Sequence, residues 1–278
     1  MCEISPQKIS DNDHLVLCLG MSRAGSTLQY NLTRSLLERL KVGHGLHFLN
    51  TENELRNAAL VAKGKGAITA IKTYQYDLGW LDGTDAKVSK LCIFRDLRDV
   101  YSSRKKKRGE SLDNFLKQTR KDLEGLNRLS ASGEVLWQQY EDVILDLQGA
   151  TREIATFLGL KAGDDDIATV AKLNTLDAAL KEISLSFTAR ERFISKANKF
   201  FARRPLLAKQ LLRTIGITKL VRTIIPPANV LSSNSHLHPD HISRSRGMPG
   251  KWREELSEME AQLITETFSE WLKQHNYL

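Results

Sequence analysis

Gly20-Met21-Ser22-Arg23-Ala24-Gly25-Ser26-Thr27 is the stretch whose reading decides the fold. Its spacing follows G-x-x-x-x-G-K-[ST], the signature of a P-loop whose backbone amides cradle phosphate. One position departs: Ser26 stands where the lysine belongs, and a basic side chain, Arg23, lies three residues upstream. Ahead of the loop, residues 14–19 form a short apolar run that reads as a buried strand. Behind it, Leu28, Leu32, Leu36, Leu37 and Leu40 recur at helical spacing. The loop therefore joins a strand to a helix and places its N–H groups at the helix N-terminus, where free amides and the helix dipole attract anions. The alternative is that Gly20 and Gly25 only shape a tight turn.

Outward from the loop, strand patterns at 45–49, 67–71, 90–94 and 134–137 alternate with helical periodicity at about 52–62, 97–107, 111–131 and 147–158. This alternation predicts a three-layer α/β/α fold with a central, mostly parallel sheet covered on both faces. From about 164 onward the pattern turns helical, ending in one amphipathic helix near 255–274. The expected organisation is a single domain over 1–278 with a basic helical insertion at about 190–225.

The 278 residues carry a net charge of +8, but residues 190–225 alone account for +9 and the remainder for −1. Basicity confined to one segment argues against general nucleic-acid binding. No secretory signal and no membrane-length apolar run is present, and the three cysteines, Cys2, Cys18 and Cys92, lack metal-ligand spacing, so a cytoplasmic location is expected.

In parallel sheets, ligands bind beyond the carboxyl ends of the strands. Lys72-Thr73-Tyr74, Arg95 and Tyr140 follow three of the strand patterns and offer cations and donors suited to a polyanionic nucleotide. The run Arg104-Lys105-Lys106-Lys107-Arg108 reads as a solvated helix face, with a nuclear-localisation signal as the alternative. A second basic, glycine-punctuated loop at 243–252 contains Arg244, Arg246 and Gly247 ahead of Trp252 and suits a second phosphate; its plain reading is an ordinary loop anchored by Trp252.

Four motifs in order make the chain resemble the sulfotransferases that use 3′-phosphoadenosine 5′-phosphosulfate (PAPS). Ser22-Arg23-Ala24-Gly25-Ser26-Thr27-Leu28 is similar to the family's P-K/R-S-G-T/S-T-W/L loop, with Ser22 for proline and Ala24 for serine. Arg95-Asp96-Leu97-Arg98-Asp99-Val100-Tyr101-Ser102-Ser103 is similar to R-D-P-R-D-V-x-x-S, with Leu97 for proline. Tyr140-Glu141-Asp142 with Phe157-Leu158-Gly159, and the 245–252 loop against R-K-G-x-x-G-x-W, complete the set.

The resemblance implies transfer of a sulfuryl group from PAPS to a hydroxyl or amine, with PAP (adenosine 3′,5′-bisphosphate) as product and no metal. Arg23, Ala24, Gly25, Ser26 and Thr27 would hold the 5′-phosphosulfate. Arg95, Ser103, Arg246, Gly247 and Arg244 would hold the 3′-phosphate, Tyr140 would lie by the adenine, and Lys72 would meet the bridge between phosphate and sulfuryl group. Arg23 and Lys72 suit stabilisation of charge on the departing phosphate. The acceptor would be a small molecule, lipid or glycan.

The general base is where the pattern breaks. Many members have K-T-H, and this chain has Lys72-Thr73-Tyr74. Tyrosine ionises at about pH 10 in water, so His44 or His47 ranks first as base, with Tyr74 just behind. Two other classes stay open. One is a P-loop NTPase or small-molecule kinase with Asp96 near the usual magnesium-aspartate position. The other is a catalytically degenerate nucleotide-binding module. The 190–225 segment has three readings: a packed insertion with a solvated basic face, an acceptor lid, or a membrane-surface contact.

Overall fold

The computed structural model describes residues 14–62, 66–81, 87–186 and 247–278. Five strands alternate with helices: β1 (His14–Gly20), β2 (Gly43–Phe48), β3 (Ile68–Lys72), β4 (Lys87–Phe94) and β5 (Val135–Gln139). They form one sheet in the order β2-β3-β1-β4-β5, and all four pairings are parallel. β1 is central and buried along its whole length, as a strand covered on both faces must be. Its side chains alternate: Leu15, Leu17 and Leu19 enter one core, and Val16 and Cys18 the other.

The first core is completed by α2 (Glu52–Ala62), α3 (Leu97–Arg108), α4 (Leu112–Ala131) and residues of the C-terminal helices. The second is completed by α1 (Ser26–Arg39), α6 (Leu147–Phe157) and α7 (Asp164–Leu173), with α5 (Tyr140–Leu145) between β5 and α6. Helices thus cover both faces, and the three-layer expectation holds. The chain leaves β1 toward β3 and β2 and leaves β4 toward β5. The crevice beyond β1 and β4 is therefore the switch point where such sheets bind ligands.

The single C-terminal helix expected over 255–274 is three: α9 (Trp252–Glu255), α10 (Glu258–Thr267) and α11 (Ser269–Gln274), numbered after α8 (Leu176–Ser186). The break before α10 is chemical. Ser257 accepts the Glu260 N–H and Glu260 accepts the Ser257 N–H, a capping box that begins a new helix.

By internal contacts the chain forms two compact units, Met1–Thr175 with Asp240–Leu278, and Leu176–Pro239. The sheet and the crevice belong to the first, α8 to the second. Among the described residues no helix is long and apolar enough to cross a membrane.

Candidate nucleotide and transfer site

The loop after β1 turns into α1 with no side chain capping the helix and no acid in its first turn. Its amides are left for a ligand. Gly25, the N-cap, has φ 106°, a conformation that L side chains rarely adopt. A Cβ there would lie 2.5 Å from the Tyr140 ring, so glycine is needed for conformation and for space. Arg23 has φ 77°, an uncommon value for a residue with a side chain, and such backbone strain gathers at functional loops.

Side chains from neighbouring strand ends converge on this loop. Lys72, the last residue of β3, donates from Nζ to Thr27 Oγ1 at 2.7 Å. Arg23 Nε donates to Ser103 Oγ on α3 at 2.9 Å. Arg95 follows β4, lies over the Tyr140 ring at 4.4 Å, and donates to the carbonyls of Gly247 and Met248 at 3.2 and 3.3 Å. Its Nε is buried with no hydrogen-bond partner. Tyr140 donates from its hydroxyl to Gly247 O at 3.0 Å. Gly247 has φ 74°, and a Cβ on it would strike the Tyr140 hydroxyl. Tyr140 is thus wedged between Gly25 of the first loop and Gly247 of the late one.

The Arg95–Ser103 segment also builds the frame. Asp96 caps α3 and is held by Arg98 through Nε and Nη2 at 2.9 and 2.8 Å. Arg98 in turn stacks on Trp252 at 4.1 Å. Asp99 accepts the N–H of Gly250 at 2.7 Å and of Trp252 at 2.9 Å, and pairs with Arg95 at 3.4 Å. Burial raises the Asp99 pKa, opposed by Arg95 and those two amides.

Tyr74 lies at the loop. Its ring sits 5.0 Å from that of Phe48, and the Lys72 ammonium is 5.5 Å from the ring centroid. Burial pushes the phenol up. The Lys72 charge and the hydrogen bonds from Ser26 and Ser22 outweigh it, so the Tyr74 pKa falls below the ordinary tyrosine value.

His44 is not brought to this place. It pairs in register with Thr69, which is level with Leu15 on β1. That is the entry half of the sheet, about 16 Å of strand from the loop at 3.3 Å per residue. The backbone of His47 is in β2; its side chain is outside the described residues, as are Arg244, Arg246 and the whole 190–225 segment.

Two participants escaped the sequence reading. Ser22 was read only as a replacement in a motif, yet it is one of the groups that lower the Tyr74 pKa. Arg104 was placed on a solvated face, but it is 3% exposed and donates to Ser22 O at 3.2 Å and to Asp122 at 3.2 Å. Lys105 and Lys106 of the same run pair with Glu260 and Glu255. The missed signal is the helical offset of Arg104 from Val100 and Tyr101, which places it on the buried side of α3.

No family model matches the chain, and no curated protein matches it in sequence. Among solved structures it is similar to retinol dehydratase in complex with androsterone and the inactive cofactor PAP, at 15% identity, covering 96% of this chain and 82% of that one, with a TM-score of 0.54. It is similar also to mouse sulfotransferase SULT7A1 complexed with PAP, at 13% identity over 96% and 86% of the two chains, TM-score 0.53. Retinol dehydratase complexed with retinol and PAP gives 15% identity over 95% and 82%, TM-score 0.53. The chain has the fold of these proteins.

Proposed function

We propose that this protein is a PAPS-dependent sulfotransferase acting on a hydroxyl or amine of a small-molecule, lipid or glycan acceptor. The observation that carries this is Lys72. It is 5% exposed, among the described residues no carboxylate pairs with it, and it sits against an uncapped helix N-terminus. A buried cation left without a counter-charge is costly unless an anion arrives. Arg23, Arg95 and the loop amides face the same crevice, so the residues present fit a ligand with phosphates at both ends of a ribose. The fold shared with PAP-bound structures supports the same ligand.

When bound, the donor supplies an electrophilic sulfuryl group; the acceptor forms the new S–O or S–N bond as the S–O bond to the phosphate breaks. Lys72 and Arg23 stabilise the negative charge left on that phosphate. The amides of Gly25, Ser26 and Thr27 orient it. Tyr74 takes the acceptor proton on its phenol oxygen, its lowered pKa bringing the basic form closer to working pH. Arg95, Ser103 and Gly247 hold the other phosphate, with Arg244 and Arg246, and Tyr140 borders the base.

Calorimetry tests the ligand. Adenosine 3′,5′-bisphosphate is expected to bind without added metal and to outcompete ATP with magnesium. Preference for ATP with magnesium would instead point to phosphoryl transfer and overturn the proposal. Labelled PAPS offered with alcohols, phenols, amines, lipids and glycans then identifies the acceptor by label transfer.

A further inference from the structure

β4 and β5 run paired as far as Phe94 and Gln139, and there they part, β4 toward α3 and β5 toward α5. The next residue of each, Arg95 and Tyr140, stack across the gap. The residues after those are bonded: the Asp96 N–H donates to Glu141 Oε1 at 3.4 Å. Tyr277, just past α11, reaches both sides of this junction. Its hydroxyl donates to Glu141 Oε2 at 2.7 Å, and its carbonyl accepts from Arg98 Nη2 at 2.9 Å. Arg98 also grips the Asp96 carboxylate, so Asp96, Arg98, Tyr277 and Glu141 form a closed ring. The end of α11 delivers Tyr277 to this place. Asn276 has φ 59°, the Asn276 N–H donates to Lys273 O at 3.1 Å, and the Tyr277 N–H donates to Leu272 O at 2.8 Å. Two such bonds around a left-handed residue are a Schellman turn, which reverses the chain onto the sheet. The Tyr277 ring then stacks on Trp271 at 5.9 Å.

We infer that Tyr277 is a positioning residue for the 3′-phosphate end of the nucleotide site: it closes the ring that fixes the Arg95–Asp96 backbone. This rests on the reading of Arg95 as a contact of that phosphate. A glutamate in the first turn of a helix can swing to solvent unless both its oxygens are held. Tyr277 holds Oε2 of Glu141 and so keeps Oε1 on the Asp96 amide. That amide belongs to the turn that carries Arg95. Tyr140 does not depend on the ring, because Gly25 and Gly247 enclose it and its hydroxyl is bonded to Gly247 O. Loss of the ring therefore falls on Arg95 and leaves the loop after β1 and the Tyr140 wall as they are.

Calorimetry on the full chain with two nucleotides tests this without knowledge of the acceptor. One is adenosine 3′,5′-bisphosphate; the other is adenosine 5′-phosphate, which lacks the phosphate that Arg95 would meet. Tyr277→Phe removes the hydroxyl and keeps both the ring on Trp271 and the carbonyl on Arg98. The bisphosphate Kd is expected to rise about tenfold, the usual consequence of losing one hydrogen bond to a charged group. The Kd of adenosine 5′-phosphate is expected to stay at its wild-type value. Glu141→Gln leaves the hydroxyl a neutral acceptor, so it is expected to shift the ratio of the two Kd values the same way by less; it also tests the ring if Tyr277→Phe does not fold. An unchanged ratio in these variants, whether both affinities hold or both fall equally, overturns the positioning role. Arg95→Met is expected to erase the preference for the bisphosphate, and survival of that preference overturns the reading of Arg95. A wild type that binds the two nucleotides equally overturns the sulfotransferase reading itself.

Discussion

Lys72 and Gly25 show how single residues set the chemistry of this crevice. Lys72 supplies from β3 the ammonium that Ser26 does not supply from the loop, and its hydrogen bond to Thr27 fixes it there. Lys72→Met keeps the length of the side chain and removes charge and hydrogen bond together. Turnover with labelled PAPS is expected to fall by about 100-fold, the usual consequence of losing one preorganised donor to developing charge. An unchanged turnover would remove Lys72 from the mechanism. The cation was legible in the sequence because it directly follows a strand pattern. Its bond to Thr27 was not, because it depends on the parallel register of β1 and β3, which places Cys18 opposite Lys72.

Among the elements, α3 and α10 are the pair most open to measurement. Glu260 closes the capping box of α10 and receives Lys105 from α3 at 2.7 Å and the Tyr101 hydroxyl at 3.1 Å. Burial pushes its pKa up, but Lys105 and the Ser257 contacts outweigh that and bring it down to about 2. A carboxyl held below its unfolded value stabilises the fold above the ordinary carboxylate range and loses that contribution as pH falls to its folded pKa. Glu260→Gln is expected to lower the melting temperature at neutral pH, and the gap from wild type should close between about pH 4.5 and pH 2. A gap that stays constant would mean the carboxylate charge is immaterial. The S-x-x-E signature of this cap was present in the sequence. The uninterrupted apolar periodicity of 255–274 masked it, because helices that follow one another on the same core keep the same pattern.

At the scale of the molecule, the sheet and its helices were readable because strand and helix periods alternate cleanly along the first 160 residues. Strand order was not, since nothing local in β2 or β3 says which lies at the edge. Arg95 and Arg108 also repel Arg23, and a polyanion relieves that repulsion. Adenosine 3′,5′-bisphosphate at a hundredfold excess over its Kd should stabilise the fold by about 2.7 kcal/mol, a rise of roughly 5 °C or more for a chain of this size. Thermal denaturation with and without the ligand reads this directly, and no rise would contradict a preformed site.

The fastening of the late loop to α3 has a consequence for how the protein matures. Asp99 holds the amides of Gly250 and Trp252, and Arg95 holds the carbonyls of Gly247 and Met248, across about 150 residues of intervening chain. During synthesis the sheet and the first loop leave the ribosome long before these partners exist. A nascent chain ending near residue 175 would already contain all five strands, yet its Asp99 carboxylate would lack both amides. The crevice becomes complete only when this distant contact closes, after the architecture around it has been made.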